Sequence, residues 1–457
     1  MNEENKMGVM PVGKLLASMA IPMMISMLVQ ALYNVVDSIF VAQIGENSLT
    51  AVSLAFPLQN LLIAFGVGTA VGMNALLSRS LGEKKQDMVD RAANTGMFLF
   101  FFNAVFFALV GIFLVRPFFM AQTHDQEIVE SGTAYATIVL TCSIGLFGQF
   151  YFERLLQSTG RTGLSMVIQL IGAVINLVLD PILIFGLCGF PRLEVAGAAV
   201  ATVIGQMVSA AIAFFVNLYA NPEIHLRWKL VRWDSKITKE IYRVAVPSIV
   251  MSSVGSVMTF GLNKIVIGFS TTAAAVFGAY FKLQSFVFMP IFGLNNGMVP
   301  ILAYNLGAGK EERLKKTITC ATVAAIAIMS VGMLIFELFP QVLLGFFDAS
   351  ENMLAIGVPA LRIVATHFFM AGFSIVVSSV CQAVGNPMHS LITSVCRQLL
   401  VLLPVAWLLA QSGNLNLVWL AFPIAEVCSV ILSAIFLVST MKRVKVSMAA
   451  RRDTTEN

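Results

Sequence analysis

Two aspartates stand where hydrocarbon disfavours them. Asp37 closes a polar stripe of Gln30, Asn34 and Asp37, spaced i, i+4, i+7 on the apolar stretch LVQALYNVVDSIFVAQIG. Asp180 follows Asn176 by one turn in INLVLDPILIFG, where Pro181 frees a carbonyl one turn earlier and invites a kink. An acid at the centre of a membrane helix costs about 2.5–3.5 kcal/mol on insertion scales, so retained ones point to function. Two carboxylates with amide neighbours offer oxygen ligands that suit a proton or a sodium ion. Protonation or cation binding would remove a charge that hydrocarbon opposes. The plainer alternative is that each acid only hydrogen-bonds a neighbouring helix.

The elements that hold these residues follow from composition. The chain has 457 residues, 58% of them hydrophobic and only 12% charged, with a mean hydropathy of +0.85. Soluble domains are about 25% charged, so this is read as an all-α polytopic membrane protein. No cleavable signal peptide is apparent, because a short polar N-terminus leads into a full-length span. Hydropathy places twelve spans at roughly 15–44, 48–78, 92–115, 128–158, 164–187, 195–219, 238–269, 272–305, 317–338, 353–384, 390–411 and 416–440. Lys and Arg set the orientation. With the N-terminus cytoplasmic, 21 fall in inner segments, and only Arg116 and Arg192 fall in outer loops. Both termini are therefore expected in the cytoplasm. The net charge of +5 reflects this bias, and no nucleic-acid partner is implied. The six cysteines form no CxxC and no zinc pattern. GxxxxGK[ST] is absent, which excludes ATP as the energy source by this motif.

The chain also repeats itself at a shift of 225 residues. AIPMMIS at 20–26 falls on AVPSIVM at 245–251, FPLQ at 56–59 on FKLQ at 281–284, and QSTG at 157–160 on QAVG at 382–385. Gly68, Gly72 and Met73 fall on Gly293, Gly297 and Met298. Six helices repeated in parallel give two pseudo-symmetric six-helix lobes of like orientation, the architecture of a transporter. The expected parts are an N-terminus at 1–14, an N-lobe at 15–220, a linker at 221–237, a C-lobe at 238–440 and a tail at 441–457. The glycines of AFGVGTAVGM are read as close helix packing.

The second half differs in sign. Leu262 stands where the repeat would put the first acid, and Lys264, Lys282, Arg397 and Glu426 appear instead. Gln30, Gln59, Lys282, Gln284, Arg397 and Glu426 are the candidate lining of a substrate cavity. Glu153 and Arg154 are adjacent on one helix and are expected to have structural partners elsewhere. Most of the 24 Met and 35 Phe face lipid or fill helix contacts. A minority lining a cavity would suit varied apolar ligands.

With the helix YNVVDSIFVAQIG, the glycine-rich LIAFGVGTAVGMNALLSRSLGEKK, RLLQSTGRTGLSMVIQLIGAVINLVLDPILIFG and GAAVATVIGQ, the chain resembles the multidrug and toxic compound extrusion (MATE) family. It looks like the bacterial MepA-type branch, over about residues 10 to 440. The resemblance implies a V-shaped pair of lobes and export of cationic or amphipathic drugs in exchange for protons or sodium ions. It implies a monomeric transporter of the bacterial cytoplasmic membrane, neither an enzyme nor dependent on a cofactor. The family's N-lobe cation site maps onto Asp37, Asn176 and Asp180, which would also ligate sodium, with Thr202 in the cluster. Asn34 would supply a further oxygen. Family members with a second acidic site use helices seven and ten; here those offer Asn263, Lys264, Arg362 and His367, so the N-lobe site is favoured.

Two other functions compete. A lipid-linked precursor flippase of the same superfamily would want a cationic cavity, for which Lys264, Lys282 and Arg397 are candidates. An intramembrane aspartyl protease would want GxGD, which is absent around Asp37 and Asp180.

Overall fold

In lipid, backbone polar groups must be satisfied within the segment, which favours long helices. The computed structural model describes residues 5–347 and 349–456. It is 88% helical, with no strand among the described residues. The first half runs through α1 (Lys6–Val9), α2 (Val12–Ala42), α3 (Glu46–Gly82), α4 (Gln86–Phe113), α5 (Val115–Gln122), α6 (Gln126–Thr141), α7 (Ile144–Ser158), α8 (Thr162–Phe185) and α9 (Glu194–Ala220). The second runs through α10 (Ser235–Ile267), α11 (Thr271–Gly307), α12 (Glu311–Leu338), α13 (Pro340–Gly345), α14 (Glu351–Ala365), α15 (Phe368–Ala383), α16 (Pro387–Val395), α17 (Leu403–Ala410), α18 (Leu415–Trp419) and α19 (Ala421–Glu456). Among the described residues, ten stretches are long and apolar enough to cross a membrane. Two more spans are broken, with α6–α7 bent by 41° and α14–α15 by 48°, which brings the total to as many as twelve.

The 225-residue shift is written into the backbone. The 37-residue helices α3 and α11 begin and end 225 residues apart, as do the 28-residue helices α4 and α12. Gly160 and Gly385 turn the chain at equivalent corners with φ of 84° and 85°, a left-handed conformation that glycine adopts without a Cβ penalty. The halves diverge after the glycine corner. Whereas α8 is continuous, its counterpart passes from α16 through a π-helical segment, Cys396–Leu402, into α17. Pro404 has no N–H for the preceding turn, and the wider i→i+5 pattern upstream accommodates that loss.

Two compact units emerge, one spanning Ile25–Ile249 and the other joining Met1–Met24 to Val250–Asn457. The division falls inside α2 and α10 and not at the lobe ends expected at 220 and 238. Glycine explains where the helices settle. In the Ile25–Ile249 unit, a Cβ on Gly72 would stand 2.3 Å from the Ile241 carbonyl oxygen, and one on Gly68 would stand 2.7 Å from the Ile249 side chain. In the other unit, Gly293 and Gly297 meet the backbone of Met24 and Ala20 at 2.4 and 2.7 Å. The paired glycines of the repeat thus seat equivalent stretches of α10 and α2, the close packing expected of them.

Each unit also pins a polar segment. In the second unit, Met7 is buried, and its carbonyl accepts from Asn305 and Arg313, each at 3.1 Å. In the first, the linker lies along α4. Asn94 donates to the His225 carbonyl at 3.0 Å and accepts from the Arg227 N–H at 2.8 Å, while Arg91 pairs with Asp234. All six cysteines are free.

Candidate functional site

The approach of α8 and α9 sets the site. A Cβ on Gly205 would come within 2.8 Å of the Gly172 carbonyl oxygen, and one on Gly197 within 2.6 Å of the Leu183 carbonyl oxygen. Backbones this close bring Asn176 to Thr202. The Asn176 amide donates to the Thr202 hydroxyl at 3.2 Å and to Asp180 Oδ1 at 3.4 Å. Asp180 is fully buried and Asn176 is 4% exposed. Helix α2 then brings Asp37 close enough for its charge to act on Asp180.

The oxygens left over are the informative part. Asp37 Oδ1, Asp180 Oδ2 and Asn176 Oδ1 are buried and have no hydrogen-bond partner among the described residues. A buried polar atom without a partner costs about 1–3 kcal/mol, more if charged. Two of the three belong to one turn of α8 and the third to α2. Among the described residues no group of three or more His, Cys, Asp and Glu could hold a metal ion. Two carboxylates, an amide oxygen and a hydroxyl fit a proton or a singly charged hard cation better than a polyvalent one.

Of the residues named from sequence, Asp37, Asn176, Asp180 and Thr202 come together. Asn34 does not join them. Its side chain is exposed, and its backbone carbonyl accepts from the Ser38 hydroxyl at 2.8 Å. At 100° per residue it is rotated about 60° from Asp37, enough to leave the cluster. Gln30 is within about 20° of Asp37 by the same arithmetic, and it accepts from Gln169 at 3.2 Å. Gln59 donates to the Tyr135 hydroxyl at 2.8 Å. Sequence reasoning missed Tyr33 and Tyr135, whose phenols both lie within electrostatic reach of Asp37 and Asp180. Tyr33 had a signal, standing one turn before Asp37; Tyr135 had none.

Glu153 and Arg154 each bond to a near neighbour on α7, where the expectation is of partners on other elements. Gln149 donates to Glu153 at 2.9 Å, and Arg154 donates to Gln157 at 2.7 Å.

The second unit holds a separate polar group. Arg397, in the π-helical segment, pairs with Glu426 of α19 at 3.2 Å. Glu426 is 2% exposed, and its Oε1 has no partner among the described residues. Buried His367 and Tyr280 both lie within electrostatic reach of this pair, and the His367 ring stacks on Phe422 at 5.8 Å. Lys282 is exposed and two residues from Tyr280, about 200° around α11, so it does not join the group. Gln284 Oε1 is buried without a partner. Lys264 and Lys282 make no ion pair among the described residues.

Comparison with known proteins decides the family. The MatE family model matches residues 22–182 and then again 247–408, two copies offset by the repeat found in the sequence. The chain belongs to the MatE family. Relatives with measurable likeness include a FAD transporter of Shewanella oneidensis, 24% identical, with 91% of this chain and 92% of that protein covered. The multidrug export protein MepA of Staphylococcus saprophyticus is 26% identical, with 90% of each chain covered. A solved structure described as the outward-facing conformation of a multidrug resistance MATE family transporter shares the fold. Its TM-score is 0.91 at 24% identity, covering 97% of this chain and 99% of that one. The chain is accordingly a multi-pass membrane protein of a transporter family.

Proposed function

We propose that this MatE-family protein exports cationic or amphipathic compounds in exchange for protons or sodium ions, in a bacterial cytoplasmic membrane with both termini inside. Alternating access is driven by ion occupancy at Asp37 and Asp180, with Asn176 and Thr202 completing the site. One observation carries this reading. Three buried oxygens, Asp37 Oδ1 of α2 and Asn176 Oδ1 and Asp180 Oδ2 of one turn of α8, have no partner among the described residues. An ion that binds one conformation better than the other shifts the equilibrium between them by that difference in affinity. Relatives named as multidrug export proteins support the substrate class.

The test is drug transport in proteoliposomes with proton and sodium gradients imposed separately. Transport driven by one gradient and abolished by its collapse is expected. Transport that ignores both gradients overturns the reading.

A second reading, an anionic substrate, is favoured by the relative named as a FAD transporter and by the exposed Lys264 and Lys282. The lipid-linked precursor flippase draws less support, because Arg397, one of its three cations, is tied to Glu426. FAD competing with the exported drug in the same vesicles would favour the anionic reading.

A further inference from the structure

A cavity of about 520 Å³ opens in the Ile25–Ile249 unit, lined by none of the residues of the aspartate site. Its walls are aromatic, formed by Phe65 of α3, Phe102 and Phe106 of α4, and Tyr242 of α10, with Trp233 at one end. Ser235, Thr238 or Lys239, and Tyr242 follow i, i+3/i+4, i+7 spacing, so one face of α10 supplies the remaining wall. That face runs about 10 Å from Ser235 to Tyr242. The Tyr242 hydroxyl donates to Asn103, another lining residue, at 3.3 Å.

Phe102, Phe106 and Trp233 are about half exposed, and Ser235, Thr238 and Lys239 follow Trp233 directly on the first turns of α10. Thr238 is 6% exposed, and its hydroxyl has no partner among the described residues. Lys239 is exposed and makes no ion pair among them. The nearby acids do not neutralise it. Asp234 is engaged by Arg91 and by the N–H groups of Lys236 and Ile237, and Glu240 is exposed and rotated about 100° from Lys239.

We propose that this cavity binds an anionic phospholipid. The phosphate sits at Lys239 with the Ser235 and Thr238 hydroxyls, and the glycerol and first methylenes lie along the aromatic walls. An unpaired ammonium selects an anion, an apolar trough selects a chain, and an aromatic ring at the polar end is the usual residue of a membrane interface. The segment 221–239 carries five Lys and Arg, the charge that complements an acidic inner leaflet. The assignment rests on the proposed function only for placing this end of α10 at the cytoplasmic side. Lys239 disfavours a cationic amphiphile here, which sets the cavity apart from the route of the exported compounds.

The experiment uses the full-length protein in vesicles mixing phosphatidylglycerol and phosphatidylcholine, one of them brominated at a time. Quenching of Trp233 is read as the difference from Trp233→Phe. The wild type is expected to prefer phosphatidylglycerol about fivefold, the effect of one basic residue near an acidic surface. Lys239→Gln should bring the preference to unity, and Thr238→Val should weaken it less. High salt should lower the wild-type preference without any substitution. Equal quenching by the two lipids, or a preference that survives in Lys239→Gln, overturns the proposal. Displacement by ethidium at concentrations that also saturate export would assign the cavity to substrate and overturn it as well. Because the readout is lipid binding, failed drug export bears on the proposed function alone.

Discussion

Asn176 joins Asp180 to Thr202, and its removal should be felt at once. Asn176→Ala leaves Asp180 Oδ1 and the Thr202 hydroxyl without their shared donor and should reduce gradient-driven export at least tenfold. Asn34→Ala, on an exposed side chain outside the cluster, should leave export within about twofold of wild type, since exposed substitutions rarely exceed ~0.5 kcal/mol. Initial rates at matched expression distinguish the two. In the other unit, Arg397→Met strands a 2% exposed Glu426 and should lower stability by about 3 kcal/mol, whereas Arg397→Met with Glu426→Met should recover most of that loss. Thermal melting of the purified variants checks this, and equal melting temperatures for the single and double variants would contradict it. The acids and Asn176 were legible in the sequence because a polar group in hydrocarbon is costly enough to need a reason. Tyr135 was not, because aromatic residues are ordinary in such helices. Asn34 was misplaced by treating a loose stripe as one face.

At the scale of elements, the glycines at the α8–α9 contact carry an unequal burden. A Cβ on Gly205 would meet the backbone carbonyl of Gly172 at 2.8 Å, which cannot rotate away, whereas one on Gly172 would meet the Ser209 hydroxyl, a side chain that can, and stand a less severe 3.1 Å from the Gly205 carbonyl. Gly205→Ala should therefore cost more, on the order of 1–3 kcal/mol, and impair coupling by moving Asn176 from Thr202. Gly172→Ala should be milder; a melting series that ranks them the other way would contradict this packing account. At the foot of α4, the hydrogen bond and charge of Arg91 hold Asp234 below the usual carboxylate range. A depressed value in the folded state gives stability that is present above the ordinary carboxylate pKa and lost as pH falls through the depressed one. The wild type should lose melting temperature below about pH 4, and Asp234→Asn should show a flatter acid limb. The long helices and their repeat were legible, since both follow from hydropathy and one constant shift. The breaks at α6–α7 and α14–α15 and the π-helical turn were not, because hydropathy averages composition and is blind to local winding.

For the whole molecule, the repeat predicted two halves, but the compact units divide within α2 and α10. That division depends on which glycine faces which helix, and periodicity alone does not specify it. The orientation read from Lys and Arg is tested by Leu230→Cys in a cysteine-free background, which an impermeant reagent should label only after the cells are opened. The central claim is that the charge state of the aspartate pair couples ion entry to export. Asp37→Asn keeps shape and hydrogen bonding but fixes a neutral side chain, so it isolates that claim. Measured in proteoliposomes at matched protein content, it should bind drug with near wild-type affinity and lose gradient-driven export. Export near the wild-type rate would make Asp37 a structural residue and contradict the account.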